Sequence, residues 1–196
     1  MASQEAQVQE VREARCEDFL GKMYRAVEAE LRLTGGDVKV YSDVFGDGTI
    51  ELTNTNVSVT LSCIDDGPRF TATARAYAYD KFDVLEVSAE GGDPEAALRE
   101  LKKKAADAIV EYAKALLSLA KAMAREALRA KDPLKATAAL KASQVYVWHV
   151  MTNLEALARA LDLDVAGVTY KLDRVMKELE GVDDKVYRFL MEPKEG

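Results

Sequence analysis

With 196 residues, 48% of them hydrophobic and 31% charged, the chain has the make-up of a soluble globular protein with room for one ordinary domain, or a modest domain plus an interaction element. No apolar run approaches the roughly 20 residues that a membrane span requires. A net charge of −7 and a pI near 5.0 exclude a protein that coats nucleic acid with its whole surface, because phosphate binding relies on clustered Lys and Arg, so any such binding must be local.

The N-terminus, MASQEAQVQEVREARCEDF, has neither a basic stretch nor an apolar core of the secretory kind, so a cytoplasmic protein is expected. Cys16 and Cys63 are far apart and lack a CxxC partner. They suggest neither a disulfide framework nor a zinc site and are expected as reduced, buried small hydrophobes. Asn and Gln number only seven against 27 basic and 34 acidic residues, a balance that leans toward a thermophilic source.

Between Ser3 and Leu33 the apolar residues Cys16, Leu20, Met23, Val27 and Leu31 recur at spacings of three and four. That predicts an amphipathic helix, with Ser3 as N-cap and Gly35-Gly36 as stop. Short runs of alternating polarity follow, separated by Gly, Asp and Asn clusters, as in an antiparallel meander of four or five strands. Val38, Val40 and Val44 are the inward set of the first run, Ile50 and Leu52 of the second, and Val57, Val59, Leu61 and Cys63 of the third. The turns FGDG and DDGP separate them, and a last run spans Val84 to Ser88.

Asp93-Pro94-Glu95 has the form of an N-cap followed by proline at the first helical position. Nothing breaks a helix from there to about Ala130. Lys131-Asp132-Pro133 restarts it, which predicts a long helical hairpin. From Val147 to Phe189 apolar residues alternate spacings of four and three, a heptad seam that predicts a dimerising zipper through Met151, Leu154, Leu161, Val165, Val168, Leu172, Val175 and Leu179. A competing assignment lays Leu157 to Leu179 on a helix-turn-helix, with LDLD as the turn, although Asp162 stands where glycine is favoured.

Catalysis is poorly provided for. The single histidine, His149, sits beside Trp148 in an apolar helical run, where a packed histidine is the ordinary outcome. There is no Gly-rich phosphate loop, no GxSxG and no metal-ligand spacing. No enzyme activity, cofactor, metal or small-molecule substrate is expected.

Binding is better supported. In the fourth run, RFTATARAYAYDKF, Phe70, Ala72, Ala74, Ala76 and Ala78 share one face, and Arg69, Thr71, Thr73, Arg75, Tyr77, Tyr79 and Lys81 share the other. Lys39, Tyr41 and Phe45 repeat the cation-and-ring pattern in the first run. Rings for bases to stack on, cations for phosphates and hydroxyls for the backbone are what single-stranded nucleic acid needs. The plain alternative is that Thr and Tyr merely suit strands and that one sheet face must be polar.

This order of elements, an N-terminal helix, a small sheet bearing aromatic and basic residues, a long helical hairpin and a C-terminal zipper, resembles ThermoDBP, a family of single-stranded DNA-binding proteins of hyperthermophilic archaea. The resemblance covers essentially the whole chain and rests on layout, length and composition. It implies a cleft lined by phenylalanines and edged by basic residues, for which Phe45, Phe70 and Phe82 match, with Lys39, Arg69, Arg75 and Lys81 at the edges. It also implies dimerisation through a leucine zipper.

The sequence therefore predicts an α+β protein with a nucleic-acid-binding domain over residues 1–145 and a helical dimerisation region over 146–196. Its expected function is low-specificity binding of single-stranded DNA, with RNA not distinguished, in replication and repair. The alternatives are a helix-turn-helix regulator using residues 157–179 and a zipper-mediated interaction module.

Overall fold

The computed structural model describes residues 16–32, 36–42, 47–64, 69–78, 83–129, 133–163 and 167–191. A 3-10 turn, Cys16–Phe19, leads into helix α1, Leu20–Glu30. Five strands follow, β1 (Asp37–Ser42), β2 (Gly48–Thr53), β3 (Val57–Ile64), β4 (Arg69–Tyr77) and β5 (Asp83–Gly91). Helices α2 (Pro94–Arg129), α3 (Pro133–Ala160) and α4 (Val168–Met191) complete the fold. The α+β class and the order of elements are those the sequence predicts; the Ser3 cap, the Gly35 stop, Val44 and the turn residues Phe45 and Asp65 to Pro68 lie outside the described residues.

The strands form one antiparallel sheet in the order β1-β2-β3-β4-β5. Alternation sets its two faces. Along the register, Ile50, Leu61 and Ala72 stand side by side facing inward, as do Leu52, Val59 and Ala74. Small side chains at Ala72, Ala74, Ala76 and Ala89, each at most 2% exposed, let α2 lie close on β4 and β5. Gly91 completes this contact, since a Cβ there would lie 2.3 Å from the Ala97 nitrogen.

The N-cap predicted at Asp93 is present, whereas α1 starts at Leu20, after the 3-10 turn, with no side-chain cap at Phe19. Asp93 Oδ1 accepts the Ala96 N–H at 2.7 Å, and this bond holds its carboxyl below the usual carboxylate range. At the end of α1, Arg32 Nη1 donates to the carbonyls of Glu28, Ala29 and Leu31, which would otherwise lack partners.

Two expectations are corrected. Cys16 and Cys63 form a disulfide, with Cα atoms 5.6 Å apart. The fold seats the turn before α1 against β3, a proximity that a sequence separation of 47 conceals.

The heptad run is carried by two helices, α3 and α4. It breaks after Ala160, where Leu163 N–H reaches the Ala158 carbonyl and Asp162 N–H the Arg159 carbonyl, each at 3.0 Å, with Asp162 at φ 53°. This is a Schellman stop with aspartate in the left-handed position that glycine usually fills. Asp162→Gly is expected to raise stability by about 0.5–1 kcal/mol, because a Cβ is strained there; the exposed Arg32–Asp162 contact at 3.9 Å that it removes offsets little of this. Urea denaturation checks it.

The seam is not free for a second chain. Met151, Leu154, Leu161, Val168, Leu172, Val175 and Leu179 are all at most 8% exposed within the single chain, in a core continuous with the sheet. Val165 lies outside the described residues. The residues predicted to dimerise instead close a three-helix bundle. In it α4 runs alongside α2, with Lys121 Nζ meeting Glu178 Oε2 at 2.8 Å, and α3 holds α4 through Trp148 Nε1, which donates to Asp183 Oδ2 at 2.6 Å. The predicted boundary between residues 145 and 146 falls inside α3, and one core crosses it.

Candidate nucleic-acid interface

Helices α1, α2 and α3 pack on the inward face of the sheet, and no described helix covers the outward one. The register lays out the outward rows. Lys39, Glu51, Thr60, Thr73 and Ser88 stand in line across all five strands. Tyr41, Thr49, Ser62, Thr71 and Glu90 form the next row, and Asp37, Thr53, Ser58, Arg75 and Glu86 another. The surface is thus a hydroxyl-rich platform, with Thr49 and Ser62 hydrogen-bonded at 3.1 Å and Thr73 and Ser88 at 2.9 Å.

The predicted residues divide. Lys39 and Arg69 are exposed on this face, while Arg75 Nε donates to Glu86 Oε2 at 2.9 Å. Tyr41 lies on β1, its side chain outside the described residues. Phe45, Tyr79, Lys81 and Phe82 lie outside them altogether. Phe70 is a correction, because strand alternation turns it into the core, where it is 1% exposed and meets the Phe19 ring edge-on with centroids 5.5 Å apart. It packs the interior and offers no surface to a base.

Tyr77 is held on this face at three points. It sits half-buried beside a register irregularity between Ala76 and Tyr77. Its N–H donates to the Asn56 carbonyl at 2.9 Å, its carbonyl accepts from Asn153 Nδ2 at 2.6 Å, and its hydroxyl lies 2.6 Å from Ser58 Oγ. Asn153 and Ser58 are themselves 2% and 1% exposed, so both anchors are buried in the fold. A ring fixed in this way loses little freedom when another ring stacks on it.

The sequence reading missed the hydroxyl rows of β2 and β3, although the alternation that put Val57, Val59, Leu61 and Cys63 inward also puts Ser58, Thr60 and Ser62 outward. Charge on the platform is mixed, because Asp37, Glu51, Glu86 and Glu90 share it with Lys39, Arg69 and Arg75.

A second concavity, a groove of about 550 Å³, runs between α2 and α4. Val110, Leu117 and Val175 form its floor, and Lys114, Lys171 and Arg174 its basic rim. Lys114 is paired with Glu111 at 2.7 Å, and Glu178 is held below the usual carboxylate range by its hydrogen bond to Lys121. No described helix is long and apolar enough to cross a membrane. Among the described residues no group of three or more His, Cys, Asp or Glu is placed to hold a metal ion. Compared with family models, curated proteins and solved structures, the chain matches none.

Proposed function

We propose that this protein binds single-stranded DNA with low sequence specificity across the outward face of its sheet, inside the cell, and protects the strand in replication and repair without acting on it chemically. The observation that carries this reading is Tyr77, an aromatic ring on a hydroxyl-rich sheet face that no described helix covers, fixed through its amide, its carbonyl and its hydroxyl. Stacking tolerates any base, and the Thr and Ser rows supply donors and acceptors for sugar and phosphate oxygens.

Mixed charge on the platform shapes the binding. With Arg75 engaged by Glu86, the exposed cations on the described face are Lys39 and Arg69. Two phosphate contacts on a single strand give a slope of log K against log salt of roughly −1.4. Binding is therefore weakly salt-dependent and stacking-led.

The test is a titration of labelled oligo-dT and of duplex at several salt concentrations. Tyr77→Ala is expected to weaken single-strand affinity by the loss of one stack, about 1–3 kcal/mol, while Tyr77→Phe keeps most of it. Lys39→Ala and Arg69→Ala should each flatten the salt slope by about 0.7. Equal affinity for duplex, or indifference to Tyr77→Ala, rejects the proposal.

A second reading has one observation in its favour. The stop at Asp162 and the restart at Val168 place two helices about a short connection, and α4 then exposes Tyr170, Lys171 and Arg174 in its first turns. A helix-turn-helix regulator would use these residues on duplex, and the duplex arm of the titration reads it directly.

A further inference from the structure

The sheet is closed at one edge and open at the other. β5 has its inward face under α2, carries Glu86 and Glu90 outward, and is irregular in its pairing with β4. Such features block edge-to-edge association. β1 has neither the covering helix nor the irregularity, and its outward charges, Asp37 and Lys39, are of opposite sign, so they oppose a generic strand but suit a complementary one. It is a regular six-residue strand without proline, and among the described residues it pairs on one side only. On its inward side Val38 and Val40 are 46% and 51% exposed, although their cross-strand partners Leu52 and Ile50 are 7% and 0% exposed. Between β1 and α1 lies a groove of about 350 Å³, with Val27, Leu31, Val38 and Leu52 in its wall.

We propose that β1 pairs with β1 of a second copy of this chain, antiparallel about a twofold axis at Val38, to make one continuous sheet across the dimer. Every second backbone N–H and C=O of an edge strand points outward and needs a partner, and a twofold lets one strand supply both halves of the interface.

Charge selects the occupant and the register. Centred on Val38, the pairing sets Asp37 opposite Lys39 of the partner subunit, and Lys39 opposite Asp37 of the partner subunit, both on the outward face. Val38 then meets the partner's Val38 on the inward face, where each covers the other. Centring on Lys39 would set like charges face to face, and centring on Val40 would leave Lys39 without an opposite charge on the partner strand. Opposite charges directly across strands stabilise a pair and like charges oppose it. A strand bearing this same Asp-Val-Lys order is the complement the edge calls for, and a second copy is the strand that has it.

The inference goes beyond the DNA-binding proposal and is tested without DNA, so either can fail alone. Sedimentation equilibrium of the full chain across the micromolar range is expected to show a dimer. Asp37→Lys and Lys39→Asp should each weaken dimerisation by about tenfold. The double change Asp37→Lys/Lys39→Asp, which restores opposite charges across the axis, should recover it. Asp37 and Lys39 are exposed, so none of these changes disturbs the core, and Glu51→Lys made alongside Lys39→Asp keeps opposite charges across β1 and β2. Val38→Cys should link two chains under mild oxidation. A monomer at every concentration, a dimer indifferent to the single changes, or single changes that the double change fails to rescue would overturn the proposal.

Discussion

Reducing the Cys16–Cys63 disulfide is expected to cost about 4 kcal/mol of stability. The bond closes a loop with a sequence separation of 47, and the chain-entropy cost of opening such a loop in the unfolded state is about 14 cal/mol/K, or about 4 kcal/mol at room temperature. For a chain of this size that corresponds to a fall in Tm of roughly 8–16 °C. The bridge anchors the turn before α1 to β3, where Cys16 and Cys63 are 1% and 0% exposed, so reduction requires the N-terminal element to lift first. Calorimetry with and without reductant, and on Cys16→Ala/Cys63→Ala, measures the effect. An unchanged Tm means that the two sulfurs are not bonded. Disulfides persist in oxidising compartments and in the intracellular proteins of hyperthermophiles. The second setting agrees with the low Asn and Gln content and with the proposed location.

Leu172→Ala is expected to lower stability by about 3 kcal/mol, through lost burial and the cavity left behind. Leu172 is 1% exposed in α4, part of the core shared with α2 and α3. Because that core lies within one chain, the loss should be the same at every protein concentration. A zipper between chains would instead make the loss itself depend on concentration, because Leu172→Ala would then dissociate the chains as well as unpack them. Tyr170, two residues earlier and 67% exposed, gives the contrast, since Tyr170→Ala should change stability by less than about 0.5 kcal/mol.

The heptad seam shows where sequence reading ends. Spacings of four and three report that one helix face is apolar, and they say nothing about whether the covering helix belongs to the same chain. The turn at Asp162 was legible only in the competing helix-turn-helix assignment, which places LDLD there; the heptad spacing passes over it because aspartate is not a usual stop signal and the seam resumes in phase beyond it. In β4 and its neighbours the alternation was legible residue by residue, because a period of two leaves a side chain only two directions. The same alternation had already set Phe70 on the inward face, and only the likeness to a phenylalanine-lined cleft brought it into the predicted binding set. Pairing of Cys16 with Cys63 depended on tertiary proximity, which spacing does not encode. Asp93 and Pro94 were legible because capping is local chemistry, complete within four residues.

In the proposed function the sheet face that no described helix covers, and not the helical surface, meets the nucleic acid. Threonine-methyl NMR tests it most directly, because threonines report from both surfaces. Thr60, Thr71 and Thr73 lie beside one another on the outward face, whereas Thr152 and Thr169 sit on α3 and α4. On titration with oligo-dT, the Thr60, Thr71 and Thr73 methyl signals should shift together and saturate at one stoichiometry, while those of Thr152 and Thr169 stay in place. Movement of Thr169 with the sheet threonines silent would contradict the account, and so would the absence of any shift.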